Sequence, residues 1–161
     1  MSDRGAGDRR RPSRRAARTP SRARRALVAL GTVADVVPLD RNNRILVQEG
    51  LRRLRSRAAT TGLMALARVA GCRMDEMSAR QLGHQIAPRL NAAGRIDDMS
   101  IGIRCLLADD AAEAIALAGQ LDCLNRERRE MEARMRDEAT VAVRRLNISE
   151  GSLPPGLALY D

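Results

Sequence analysis

The chain has 161 residues, 44% of them apolar, and a formal net charge of +9. That length is ordinarily one domain. With no Phe, no Trp and a single tyrosine, Tyr160, the core has to come from Leu, Ile, Val, Met and Ala, which suits helix-on-helix packing.

The charge sits at one end. Residues 1–25 hold ten Arg against Asp3 and Asp8, a net +8, which leaves +1 for the other 136 residues. All 29 basic residues are Arg, a bias of the kind that GC-rich coding imposes. A segment of Arg, Ser, Pro, Gly and Ala cannot offset its ordering entropy, so 1–25 reads as a disordered tail. It could grip phosphates through counterion release, or simply be solvated. The folded remainder is nearly neutral, so the basic character of the whole chain does not by itself make it a nucleic-acid binder. No apolar run approaches the roughly 18 residues of a membrane span, and no signal-peptide core follows the basic start. Cys72, Cys105 and Cys123 stand far apart with no C-x-x-C pair. They read as reduced, buried thiols of a cytoplasmic bacterial protein.

The elements follow in chain order. Residues 26–39, ALVALGTVADVVPL, fit a helical face through Ala26, Leu27, Leu30 and Val33, and fit a strand or turn nearly as well. Asn43 is a candidate cap for a helix running through Leu54. A second helix starts at Thr61 and stops at Gly71. Ser78 and Gln81 have the spacing of a capping box for a third, which Pro88 should end near Ala87. Residues 88–98, PRLNAAGRIDD, then read as a polar loop, and Ser100 to Leu107 as a short helix. Asp110 and Glu113 repeat the capping-box pattern, and nothing breaks a helix from there to about Leu146. A helix of that length, with an imperfect heptad interrupted at Arg128, reads as a strut between domains. Glu130–Arg134 and Glu132–Arg136 have favourable i,i+4 spacing along it. The final GSLPPGLALYD reads as a linker followed by the start of a strand.

Two segments are less generic. GTVADVVPLDRNNR and IAPRLNAAGRIDDMSIGI resemble the bacterial RecJ exonucleases of the DHH phosphoesterase family, as does the stretch LDCLNRERREMEARM. The resemblance runs from about Leu27 to Asp161, with the three segments in the family's order. The Arg-rich start has no counterpart in it.

The resemblance implies a 5′-to-3′ single-stranded-DNA exonuclease of recombination and repair that works with Mn²⁺ or Mg²⁺. It implies an α/β parent with a DHH domain and a DHHA1 domain. This chain would supply a mainly α piece of that parent: the C-terminal part of the catalytic core at 26–108, a long connecting helix at 109–147, and a linker with the start of a truncated DHHA1 domain at 148–161. By position Asp35 matches a metal-ligand aspartate, the catalytic candidate here. Arg95 matches the arginine expected on the 5′-phosphate of the DNA, where its planar fork suits phosphate. Gly94 permits close backbone approach, with Asn91 and Arg89 in support. His84, the lone histidine, reads as a packing or surface residue.

The family's other metal ligands lie in an aspartate-rich motif and an Asp-His-His signature, and neither occurs upstream of Asp35. One carboxylate cannot hold two cations, so the chain is expected to be inactive alone and not to bind the metals, with the missing part of the enzyme as a partner. A non-catalytic nucleic-acid binder and a helical interaction protein are the alternatives. No membrane partner is expected.

Overall fold

The computed structural model describes residues 22–96 and 98–145, and all of their regular structure is helical. The readings placed on 1–21 and on 146–161, including the linker and the strand start, lie outside the described residues.

A 3-10 turn at Arg22–Arg24 leads into α1 (Arg25–Ala34), which resolves the helix-or-strand ambiguity of 26–39 and corrects the tail boundary. Residues 22–25 are helical, and Arg25 has a partner: its Nη1 lies 3.3 Å from Glu49 Oε1 on the next helix. Ala26 and Ala29 are fully buried at that crossing. The helices come so close that a Cβ on Gly50 would lie 2.2 Å from Ala29 Cβ. Asp35 caps the end of α1, and Val36 follows at φ +53°, a left-handed conformation that a β-branched residue rarely adopts. The amides of Val36 and Val37 close the turn onto the carbonyls of Val33 and Thr32, a Schellman ending.

α2 spans Arg41–Arg55, and its cap is Asp40, not Asn43. Asp40 Oδ1 accepts from the Asn43 amide at 2.8 Å, while Asn43 Nδ2 turns back to donate to the Pro38 carbonyl. α3 (Thr61–Val69) ends at Gly71, whose φ of +70° requires glycine, with the Gly71 and Cys72 amides on the carbonyls of Arg68 and Ala67.

The expected stop at Pro88 is overturned. The Ser78–Gln81 capping box forms and starts α4 (Ala79–Gln81), but the chain then passes through a π turn at Leu82–Ile86 directly into α5 (Ala87–Ile96). Proline lacks an amide hydrogen and its ring crowds the carbonyl four residues back. The wider π turn, where the Ala87 amide reaches the Leu82 carbonyl, puts Pro88 in the first turn of a new helix, where proline is tolerated. The segment PRLNAAGR is therefore helix rather than loop.

α6 (Ser100–Leu107) and α7 (Ala111–Arg145) complete the bundle. Asp110 Oδ1 accepts from the Glu113 amide, so the expected cap forms. At 35 residues α7 is about 52 Å long. Its first half packs on α3, α5 and α6, burying Ala114, Leu117, Ala118, Leu121 and Asn125. Beyond that the helix is mostly solvated, with Met131 and Met135 exposed. Glu132 is taken by Arg128, which also donates to Asn125 Oδ1. No described helix is long and apolar enough to cross a membrane.

The core is aliphatic, as the composition requires: Leu54, Leu63, Leu66, Met77, Leu82, Ile86 and Leu121 are all fully buried. Cys72 and Cys105 belong to it, and burial pushes the Cys105 thiol up to about 11. Cys123 was expected to be buried but is exposed on α7, where a hydrogen bond to Glu127 raises its thiol above the ordinary range.

Candidate nucleic-acid interface

The end of α1 lies against the π turn that precedes α5. Val33, two residues before Asp35, lies against Gly83 of the π turn, where an added Cβ would sit 3.2 Å from Val33 Cγ1.

On α5 the helical period sorts the candidate residues into two sets. Asn91, Gly94 and Arg95 stand at i, i+3 and i+4 and are all exposed. Neither the Asn91 nor the Arg95 side chain has a hydrogen-bonding partner among the described residues, so the Arg95 fork is available to a ligand. Leu90, Ala92 and Ala93 are buried on the opposite side. A Cβ on Gly94 would meet only Met99 Sδ at 3.4 Å, an ordinary contact, so packing alone does not demand glycine there.

Arg89 belongs to neither the exposed set nor solvent. Its side chain is 12% exposed and its donors are committed within the bundle. Nε and Nη2 lie 2.9 and 2.8 Å from Asp122 Oδ1 on α7, and Nη1 donates to the Gln85 carbonyl in the π turn. The fork of Arg89 thus ties α5 to α7. Nothing in the spacing of PRLNAAGR marks Asp122 as its partner, 33 residues away.

Asp35 is exposed at the end of α1, and its carboxylate has no partner among the described residues. No three His, Cys, Asp or Glu side chains among the described residues are grouped to hold a metal ion. A lone solvated carboxylate does not fit a pair of divalent cations. His84 is exposed in the π turn, as a surface reading requires. A cleft of about 720 Å³ lies elsewhere, lined by Arg57, Met64, Arg68, Cys72, Met74 and Ile115 among others, and includes none of the candidate residues.

No family model matches the chain. It is 50% identical over 134 residues to the single-stranded-DNA-specific exonuclease RecJ of Salmonella typhimurium, and 51% identical over 134 residues to that of Escherichia coli. Both alignments cover 83% of this chain. This chain carries a RecJ segment. It spans only 23% of the length of those two relatives. The RecJ likeness extends to three dimensions: a Thermus thermophilus RecJ solved with Mn²⁺ superposes with a TM-score of 0.66 at 43% identity, covering 73% of this chain and 17% of that one. A second solved form of that RecJ carries Mg²⁺. Val36, Val37, Leu39, Ile45 and Leu46 all expose apolar surface around the end of α1 and the start of α2.

Proposed function

We propose that the chain is part of a metal-dependent 5′-to-3′ single-stranded-DNA exonuclease of recombination and repair, and that its own share of the work is recognition of the 5′ end. Residues 26–108 would belong to the catalytic core and α7 would connect it to the next domain. The observation that carries the reading is the exposed face of Asn91, Gly94 and Arg95, where the Asn91 and Arg95 side chains have no partner among the described residues.

The chemistry of that face is electrostatic. Arg95 offers a planar fork of donors to a terminal phosphate, which carries more charge and more free oxygens than an internal one. Asn91, one turn earlier, can donate to the same phosphate or the first sugar. Gly94 between them leaves the helix surface low, so the strand backbone can approach. No Phe, Tyr or Trp occurs among the described residues, so recognition should rest on the phosphate backbone and be independent of sequence. Asp35 is the one carboxylate of the matched motif that the chain offers toward Mn²⁺ or Mg²⁺. The chain alone binds ends without cutting them.

The test compares 5′-phosphorylated and 5′-hydroxyl oligonucleotides for binding to the purified chain, and for digestion in Mn²⁺. Tighter binding of the phosphorylated strand, equalised by Arg95→Ala, and no digestion are expected. Equal binding of both strands would refute end recognition. Digestion that vanishes in Asp35→Ala would refute the inactivity of the chain.

A further inference from the structure

We propose that the outer face of α2 is a phosphate track for single-stranded nucleic acid. This goes beyond the end-recognition reading and does not depend on Arg95. The sequence spacing places Arg41, Arg44, Gln48, Arg52 and Arg55 at i, i+3, i+7, i+11 and i+14. At 3.6 residues per turn they fall within a sector of about 80° and span about 21 Å, the reach of a few nucleotides. All five are exposed.

The charge balance singles out this face. Residues 22–57 hold nine Arg against Asp35, Asp40 and Glu49, a net +6. Residues 58–145 hold thirteen Arg and thirteen acids, a net of zero. The cationic excess of residues 22–145 therefore lies on the α1–α2 hairpin. The single acid of α2, Glu49, is shared by three arginines, Arg25, Arg52 and Arg53, at 3.3, 2.8 and 2.8 Å, so the cluster stays net positive.

Helix stability does not account for the arrangement. Arg52, Arg53 and Arg55 in the last turn complement the negative end of the helix dipole. Arg41 and Arg44, in the first four residues, carry the wrong sign for the positive end, and neither has a carboxylate partner among the described residues. A shallow groove of about 350 Å³, lined by Ile45, Gln48, Glu49 and Arg52, lies midway along the stripe. Ile45 is 55% exposed there, an aliphatic surface on which a sugar can rest. A bilayer fits less well. The apolar face of α2, with Val47, Leu51 and Leu54, is already buried in the bundle, so only the cationic side is available.

The experiment measures the affinity of the full chain for a circular single strand, which has no 5′ end, across a salt series. Three variants are compared with the parent: Arg41→Gln/Arg44→Gln/Arg52→Gln/Arg55→Gln, the milder Arg41→Gln/Arg44→Gln, and a control with the same loss of charge on α7, Arg129→Gln/Arg134→Gln/Arg136→Gln/Arg144→Gln. The arginines of residues 1–21 are common to all. Each single-strand phosphate contact contributes about 0.7 to the slope of log affinity against log salt, so the quadruple α2 variant should lower the slope by about 3 and the double variant by about half that. The affinity of the quadruple variant should fall at least about tenfold, with the α7 control close to the parent. Arg41 and Arg44 make no side-chain hydrogen bonds among the described residues, so the double variant keeps the fold, which its helical circular dichroism verifies. An α7 control that loses as much as the α2 variant, an unchanged slope, or a preference for phosphatidylserine vesicles over the circular strand would each overturn the track. Loss on the α2 variants together with equal affinity for 5′-phosphate and 5′-hydroxyl ends would uphold the track and sink the end-recognition reading alone.

Discussion

Replacing Arg89 by methionine separates the two roles the sequence allows it. Methionine keeps much of the aliphatic stem and removes the fork. What is lost is a hydrogen bond and an ion-pair contact to Asp122 Oδ1 and a hydrogen bond to the Gln85 carbonyl. Hydrogen bonds involving charged groups contribute about 1.5–3 kcal/mol each in net terms, and they do not add within one group. The pair is partly buried, at 12% and 21% side-chain exposure. Asp122 also keeps Arg126, 3.4 Å away, as a partial substitute. We therefore expect a loss of about 2–3 kcal/mol, short of the cost of stranding a fully buried charge. For a domain of this size that is a fall in melting temperature of about 8–12 °C. With no Trp and one Tyr, helical circular dichroism through thermal and urea unfolding is the suitable probe. A double-mutant cycle with Asp122→Ala should return a coupling of at least about 1 kcal/mol. The reasoning fails if Arg89→Met leaves stability within about 0.5 kcal/mol and lowers affinity for 5′-phosphorylated strands as much as Arg95→Ala does. Arg89 would then be a strand contact, as the sequence alone suggested.

Two further outcomes follow from the same packing. Gly62→Ala would put a Cβ 1.5 Å from the Cys105 carbonyl oxygen, a backbone atom that cannot move aside, so α3 and α6 must separate and the loss should exceed about 3 kcal/mol. Gly119→Ala, with nothing within 4 Å, should instead gain about 0.5–1 kcal/mol from helix propensity, and urea midpoints of the two variants should move in opposite directions. Hydrogen bonds from Arg52 and Arg53 hold the Glu49 carboxyl down at about 2 against an ordinary 4.5. A depressed carboxylate stabilises the fold above its unfolded value and loses that contribution as the pH falls through its folded value. The urea midpoint of Glu49→Gln should accordingly lie below the parent at pH 6, with the gap closing between pH 4.5 and 2; a gap that stays constant would mean the carboxylate is not titrating against its arginines.

Features set by neighbours in the chain were legible in the sequence. The Ser78–Gln81 box, the Gly71 ending and the unbroken run after Asp110 are local rules, satisfied within one turn. The misreadings all involve a partner far along the chain or a backbone option outside the simple rules. Arg25 pairs with Glu49, and Arg89 with Asp122. Asp40 and Asn43 are both good cap residues, and the choice went to the one whose backbone is extended, with ψ near 180°. Cys123 departs from the mean behaviour of cysteine because it lies on the outward side of α7, although Leu121 and Asn125 on either side of it are buried. The site was half legible: the motif singled out Asn91, Gly94 and Arg95, but with 88–98 read as a loop nothing showed that they share one helix face or that Arg89 faces the other way. The cationic stripe of α2 was hidden because the chain was divided at residue 25, which moved three of the hairpin's arginines, Arg22, Arg24 and Arg25, into the tail.

Pro88 ties the fold to the site. A straight helix from Ala79 would bring a proline ring against the carbonyl of His84, and breaking the helix there would turn PRLNAAGR into a loop of many conformations. The π turn avoids both. It holds about one extra residue in a turn, so everything after it is rotated by about one residue's angle, roughly 100°, relative to a continuous α-helix. That rotation sets which side of α5 faces the bundle. It turns Leu90, Ala92 and Ala93 inward, places Arg89 opposite Asp122, and leaves Asn91, Gly94 and Arg95 facing out. Helical spacing alone requires those three to share a face, but not which way the face looks. The Arg89 guanidinium then closes on the Gln85 carbonyl inside the π turn, so the bond that docks α5 on α7 also holds the turn that orients it. A rigid, proline-containing helix anchored at its start can present an arginine to a phosphate with little further ordering cost, which a loop of the same sequence could not.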